Sequence, residues 1–321
     1  MSETKNEVKS VATNEAKVAS NSVAISETES TRRIRYLAPN AITAASMMFG
    51  MVSLWSAHRG DFSLAAWMII YAVLTDRLDG VVARLLKATS ELGVQLDSFA
   101  DFLNFGVSPA FLLFSYLSQR PELPYFGPGW PRVLLMVTCG GWVLAAVFRL
   151  ARYNIASDEK VPTTIFFGIP TTLAGGLMAI WFLVFLKYDP TYPAFAGPKI
   201  FGDFVTPIWV WKYLPVALVV GAYLMASSLP MPKVGLTRNK AVTAFVLAGV
   251  LSGYVAGFAM TMPDLTAWMP SAWIVMFLIW GQFFPSAKAL RPPALFPKSD
   301  GGMKIRHQED LGADDSEQKT S

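Results

Sequence analysis

The sequence contains a single cysteine, Cys139, and only two histidines, His58 and His307. One cysteine excludes a disulfide framework and any cysteine-cluster zinc site. Two histidines so far apart exclude a multi-histidine metal centre, so any metal must be held by oxygen ligands. Charge is also scarce. Charged residues make up 16% of the chain, against roughly 25% in soluble domains. The net charge of +4 forms no basic groove, which argues against nucleic acid as a partner. Residues 1–30 hold no aromatic residue and no apolar run, which speaks against a signal peptide. A segment of that kind buries too little surface to offset its ordering entropy, and residues 298–321 read the same way. Both are expected to be disordered tails around a membrane domain spanning 31–297.

What is present is apolar. Hydrophobic residues make up 53% of the chain, and mean hydropathy is +0.39 despite the polar ends. A soluble α/β enzyme is ruled out on that balance. Stretches near the ~20 residues needed to cross a bilayer recur at 37–57, 62–86, 94–117, 133–153, 168–187, 207–227, 241–260 and 271–287. The expectation is an all-α integral membrane protein with about eight transmembrane helices. With eight crossings, Arg32, Arg33, Arg35, Arg84, Lys87, Arg149, Arg152, Lys160, Lys233, Arg238, Lys240, Lys288 and Arg291 all fall on one side. The positive-inside rule makes that side the cytoplasm and puts both termini there, in the cytoplasmic (inner) membrane.

Charge within an apolar helix is expensive, so it marks function by default. The second stretch ends with Asp76, Asp79, Gly80, Ala83 and Arg84, and the third opens with Gly93, Asp97 and Asp101. At 100° per residue the first group falls within an arc of about 140°. Gly93, Asp97, Asp101, Asn104 and Ser108 form a narrower stripe. A short link makes the two helices antiparallel neighbours, so their stripes can face each other. Four carboxylates converging at low dielectric need cations to stay ionised. Oxygen-only ligation favours Mg²⁺ or Mn²⁺, and four carboxylates suffice for two ions, the arrangement used for displacement at phosphorus. Small residues at Gly80 and Ala83 leave room for a bulky group, with Arg84 beside them as a phosphate clamp. Intramembrane carboxylates also line ion pathways, so an ion-coupled transporter is the competing class. The absence of a visible internal repeat counts against it.

The spacing Asp76-x2-Asp79-Gly80-x2-Ala83-Arg84-x8-Gly93-x3-Asp97-x3-Asp101 resembles the signature of the CDP-alcohol phosphotransferases at every fixed position. Agreement of that many positions by chance is expected about once in 10⁹ starts at average residue frequencies. Leu37–Thr43, Phe105-Gly106-Val107-Ser108-Pro109, Arg149-Leu150-Ala151-Arg152-Tyr153-Asn154, Phe167-Gly168-Ile169-Pro170 and Ser227–Lys233 resemble the phosphatidylserine synthase branch of that family. Asn104 departs from the pattern, where Ser is more usual. The resemblance covers roughly residues 32–240, and the last two helices carry no shared motif.

The resemblance implies a six-helix catalytic core plus two C-terminal helices, and a homodimer. It implies transfer of the phosphatidyl group from CDP-diacylglycerol to the hydroxyl of L-serine, with CMP leaving. Asp76, Asp79, Asp97 and Asp101 would hold two divalent ions, with Asp101 also the general base. Gly80, Ala83 and Arg84 would hold the nucleotide. Asn40 and Thr43, polar and one turn apart, are expected to touch the cytidine or steady the aspartates, with capping by Asn40 the alternative. One of Arg149 and Arg152 is expected to bind the serine carboxylate. The rival reading within the family is another alcohol, such as glycerol 3-phosphate, an inositol compound or choline.

Overall fold

The computed structural model describes residues 37–86, 90–158, 165–232 and 240–283. The two expected tails lie outside these residues. Ten helices and a two-stranded ribbon make up the described part. Helix α1 covers Leu37–His58, and α2 covers Phe62–Leu86. Helix α3 (Glu91–Asp101) runs through a π-helical turn (Phe102–Val107) into α4 (Ser108–Gln119). Helix α5 (Trp130–Asp158) is followed by β1 (Ile165–Phe167) and α6 (Thr171–Lys187). After α7 (Ile208–Ala226) come β2 (Pro230–Pro232), α8 (Lys240–Phe258), the short α9 (Pro263–Thr266) and α10 (Trp268–Phe283). Strands β1 and β2 pair antiparallel, Phe167 opposite Pro230.

Four described helical segments are long and apolar enough to cross a membrane: α1, Leu92–Gln119, Trp130–Asn154 and α7. That supports an all-α membrane protein more coarsely than the eight spans expected. Helix α2 has the length, 25 residues, but carries Asp76, Arg77, Asp79 and Arg84. Helix α6 is apolar with 17 residues. Of the eighth expected span, residues 284–287 lie outside the described set. The fifth begins at Thr171 rather than 168, because Gly168 has φ +74° and turns the chain. A Cβ at Gly168 would lie 2.7–2.9 Å from the carbonyl oxygens of Met225, Ser227 and Leu224, so only glycine fits there.

Outward faces of these helices stay apolar. Met48, Met51 and Trp55 on α1, Val133, Met136 and Val137 on α5, and Val216, Val219 and Val220 on α7 are all exposed. Large apolar surface turned outward suits hydrocarbon rather than water. Inside, Tyr116, Phe182 and Trp211 stack in edge-on and tilted contacts. Helix α6 reaches the centre because Gly175 and Gly176 present no side chains: a Cβ on either would come within 2.7 Å of Phe105 or 2.9 Å of Val73. This central position sets the first turn of α6 against the end of α3, which carries the aspartates.

Candidate active site

Helix α3 starts where it does because Ser90 caps it, its hydroxyl accepting from the Gly93 N–H at 3.0 Å. The start of α1 lies against this cap. A Cβ at Gly93 would meet Asn40 Oδ1 at 3.0 Å. Because α1 already runs from Leu37, Asn40 sits inside it, one residue after the buried Pro39, and does not cap it as the capping alternative expected. Thr43, one turn further, donates its hydroxyl to Asp79 Oδ2 at 2.8 Å, with the Pro39 carbonyl 3.1 Å away.

Carboxylate oxygens of Asp76, Asp97 and Asp101 all lie within 4.8 Å of one another. Asp76 comes from the end of α2, and the other two sit one turn apart on α3. Asp79 stands outside this trio, turned to Thr43, and acts on Asp76 and Asp97 through its charge. Burial is uneven: Asp101 is 8% exposed and the neighbouring Asp79 6%, while Asp76 and Asp97 stay partly open. On α2, Gly80 leaves a bare patch along which the Arg84 guanidinium lies, 3.5 and 4.0 Å from where a Cβ would be. Ala83 is half-buried beside it and Arg84 is exposed.

The far side of the trio is made by α5 and α6. Thr172 Oγ1 donates to Asp101 Oδ1 at 3.5 Å. Arg149 donates to Thr171 Oγ1 at 2.8 Å and is buried within electrostatic reach of Asp101 and Asp76. Arg152, one turn along, is used differently. Its guanidinium donates to the carbonyls of Ala226 (3.0 Å), Phe167 (2.8 Å) and Ser227 (2.8 Å), with Met225 O at 3.4 Å. It closes the C-terminal end of α7, where orphan carbonyls favour a cation. Asn154 Nδ2 donates to Ser98 Oγ at 3.0 Å and ties α5 to α3. The structure thus brings Asp76, Asp97, Asp101 and Arg149 together, holds Asp79 with Thr43 next to them, and keeps Arg152 among backbone carbonyls.

Sequence reasoning missed Thr171, Thr172 and the Asn154–Ser98 pair. Two hydroxyls directly after Gly168-Ile169-Pro170, in the first turn of a helix, were the available signal.

Residues 36–223 match the CDP-alcohol phosphatidyltransferase family. The chain belongs to that family. A CDP-diacylglycerol–serine O-phosphatidyltransferase of Helicobacter pylori (strain 26695) is 35% identical over 153 residues, covering 48% of this chain and 60% of that protein. One of the same name from Mycobacterium tuberculosis (strain CDC 1551) is 32% identical over 236 residues, covering 72% and 73%. A phosphatidylcholine synthase of Legionella pneumophila (strain Philadelphia 1) is 28% identical over 136 residues, covering 41% and 48%. The clustered aspartates lie inside the matched region, and α8, α9 and α10 lie beyond it.

Proposed function

We propose that this chain transfers the phosphatidyl group of CDP-diacylglycerol to the hydroxyl of L-serine, giving phosphatidylserine and CMP. The observation that carries the reading is the Asp76–Asp97–Asp101 trio inside the region that matches the family, with a buried arginine at its edge. The names of the Helicobacter and Mycobacterium relatives support serine as the acceptor.

The donor set suits a hard divalent cation, because three carboxylates with oxygens within 4.8 Å of one another supply oxygen ligands and negative charge together. Asp76, Asp97 and Asp101, with Asp79 beside them, would hold two Mg²⁺ or Mn²⁺ ions. When bound, such ions neutralise the diphosphate and stabilise the leaving CMP. The remaining work falls to the chain's own side chains. Gly80 and Ala83 leave space for the nucleotide, and Arg84 holds a phosphate oxygen. Arg149 binds the serine carboxylate, since Arg152 has its donors engaged by carbonyls. Asp101 accepts the serine hydroxyl proton as that oxygen bonds to the phosphorus bearing diacylglycerol; the bond from this phosphorus to the CMP oxygen breaks. The positive-inside bias of the loops supports a site and both termini on the cytoplasmic side of the inner membrane.

The test is CMP release from CDP-diacylglycerol by purified protein, across serine, glycerol 3-phosphate, inositol compounds and choline. Serine alone should support turnover, excess EDTA should abolish it, and Mg²⁺ or Mn²⁺ should restore it. Turnover with choline instead would move the assignment to the activity in the Legionella relative's name. Full activity in EDTA would sink the two-ion reading.

A further inference from the structure

Arg149 is 7% exposed, yet no carboxylate meets its charge directly. Among the described residues it forms no ion pair, although Asp101 and Asp76 lie within electrostatic reach. The one hydrogen bond its guanidinium makes among those residues runs to Thr171 Oγ1 at 2.8 Å, and the group lies over the Tyr153 ring at 5.4 Å. A buried guanidinium with most of its five donors unused is unfavourable until an anion completes it. Next in the chain, Thr172 meets Asp101 Oδ1 at 3.5 Å. Neighbouring residues on a helix point about 100° apart. Thr171 thus reaches α5 and Thr172 reaches α3 from the same turn of backbone.

That turn is fixed from both sides. Thr171 is fully buried. Just before it the chain bends at Gly168, and the Gly168 and Ile169 N–H groups donate to the carbonyls of Leu229 and Leu224 at 2.8 and 3.1 Å. One turn after it, Gly175 rests on Phe105, where a Cβ would come within 2.7 Å.

We propose that Thr171 and Thr172 are positioning residues that hold the Arg149 guanidinium apart from the Asp101 carboxylate, and that the gap so kept selects an α-amino acid with a β-hydroxyl as the acceptor. The acceptor's carboxylate enters on the free donors of Arg149, and its hydroxyl faces Asp101. In serine the carboxylate and the hydroxymethyl group branch from one carbon, so a single molecule reaches both. Without the Thr171 hydroxyl, the guanidinium turns to the nearest acceptors, the carboxylates of Asp101 and Asp76, and its donors are lost to the acceptor. This rests on the serine-transfer reading above and adds the residues that set acceptor choice.

The experiment is steady-state CMP release by the full-length protein in mixed micelles, with L-alanine as a competing inhibitor. Alanine has the amine and carboxylate of serine and no hydroxyl, so its Ki reports carboxylate binding without turnover. Thr171→Val keeps the branched shape and removes the hydroxyl. The KM for serine and the Ki for alanine should both rise roughly 5- to 10-fold, the effect of one hydrogen bond. The KM for CDP-diacylglycerol should not move, and Thr171→Ser should return both constants to within about twofold of wild type. Thr172→Val should lower kcat and leave the alanine Ki alone, because its hydroxyl meets Asp101 rather than Arg149. An unchanged KM for serine in Thr171→Val overturns the inference, as does a Thr171→Ser protein equally impaired, which would make Thr171 a packing residue only. If Thr171→Val does not fold, Thr172→Val carries the test, and an unchanged kcat there overturns the inference as well. A wild type that releases no CMP with serine overturns the functional reading itself, a result distinct from all of these.

Discussion

Asp101 and Asp79 are both nearly buried, yet their surroundings differ. Asp79 has its partner in place, the Thr43 hydroxyl at 2.8 Å. Asp101 meets Thr172 at 3.5 Å, hydrogen-bonds the Asp76 side chain and lies close to Asp97. On the proposed reading, Asp101 is the group that takes the serine proton. Asp101→Asn should therefore lower kcat by roughly 10²-fold or more, with CDP-diacylglycerol and metal binding near normal. Loss of metal binding with chemistry rescued by extra Mn²⁺ would make Asp101 a ligand instead, because a metal-bound carboxylate is a weakened base. The two arginines of α5 separate in the same way. Arg149→Lys should raise the KM for serine, since the bidentate fork is lost. Arg152→Lys should leave that KM alone and lower thermal stability, because it unties three close carbonyls at the end of α7 and at β1. Equal KM values for both variants would remove Arg149 from the serine site. The sequence placed these two residues on one face; their different partners come from α6 and α7, far along the chain.

At the scale of the element, the break between α3 and α4 is the informative feature. The sequence reads as one continuous helix over 94–117, and the structure inserts a π-helical turn at Phe102–Val107. Pro109 has no N–H, so the Phe105 carbonyl loses its normal helical donor. Trp142 Nε1 fills that vacancy from α5 at 3.0 Å. Ser108 donates to the Leu103 carbonyl at 2.9 Å. Asn104 is fully buried and donates to Ser46 on α1 at 2.9 Å. The turn thus fastens the aspartate helix to α1 and α5 immediately beyond Asp101. Helix α6 presses on it through Gly175. A Gly175→Ala substitution would push a methyl to 2.7 Å from Phe105 Cβ and 2.9 Å from its Cα. Backbone cannot yield as a flexible side chain can, so a loss of about 1–3 kcal/mol is expected. A thermal melt in detergent checks it, and an unchanged midpoint would show that the π turn can shift.

Across the whole molecule, the end opposite the aspartates is closed by buried ion pairs. Asp264 accepts from Lys187 Nζ at 3.1 Å, from the Tyr188 hydroxyl at 2.7 Å and from the Ile200 N–H at 3.1 Å. Burial pushes its carboxyl up, but these donors together hold it below the ordinary carboxylate range. Asp189 is held low in the same manner: burial works against it, and Thr191, Arg120 and Tyr116 more than offset that. A depressed native pKa gives stability that is fully present above the unfolded value, ~4, and is lost as pH falls through the native value. The melting temperature should therefore hold from neutral pH to about pH 4 and fall below it. Asp264→Asn should lower the melting temperature at neutral pH and flatten that acid limb. An acid limb of the same steepness in the variant would show that Asp264 does not contribute to it.

Much of this was written in the chain itself. Scarce charge and long apolar stretches dictate a helical membrane protein, because backbone in hydrocarbon must satisfy its own hydrogen bonds. The spacing of Asp76, Asp79, Asp97 and Asp101 dictates two acidic stripes, because helical periodicity is local. Tertiary structure decided what periodicity cannot reach. It turned Asp79 to Thr43 and drew the other three aspartates together. It set Arg149 beside the cluster and sent Arg152 to a ring of carbonyls. It also placed α8, without any motif, against Tyr71 and Leu74 of α2. Each of these depends on which helix lies next to which. Close approach at Gly93, Gly175 and Gly257 decides that, through packing between residues distant in sequence.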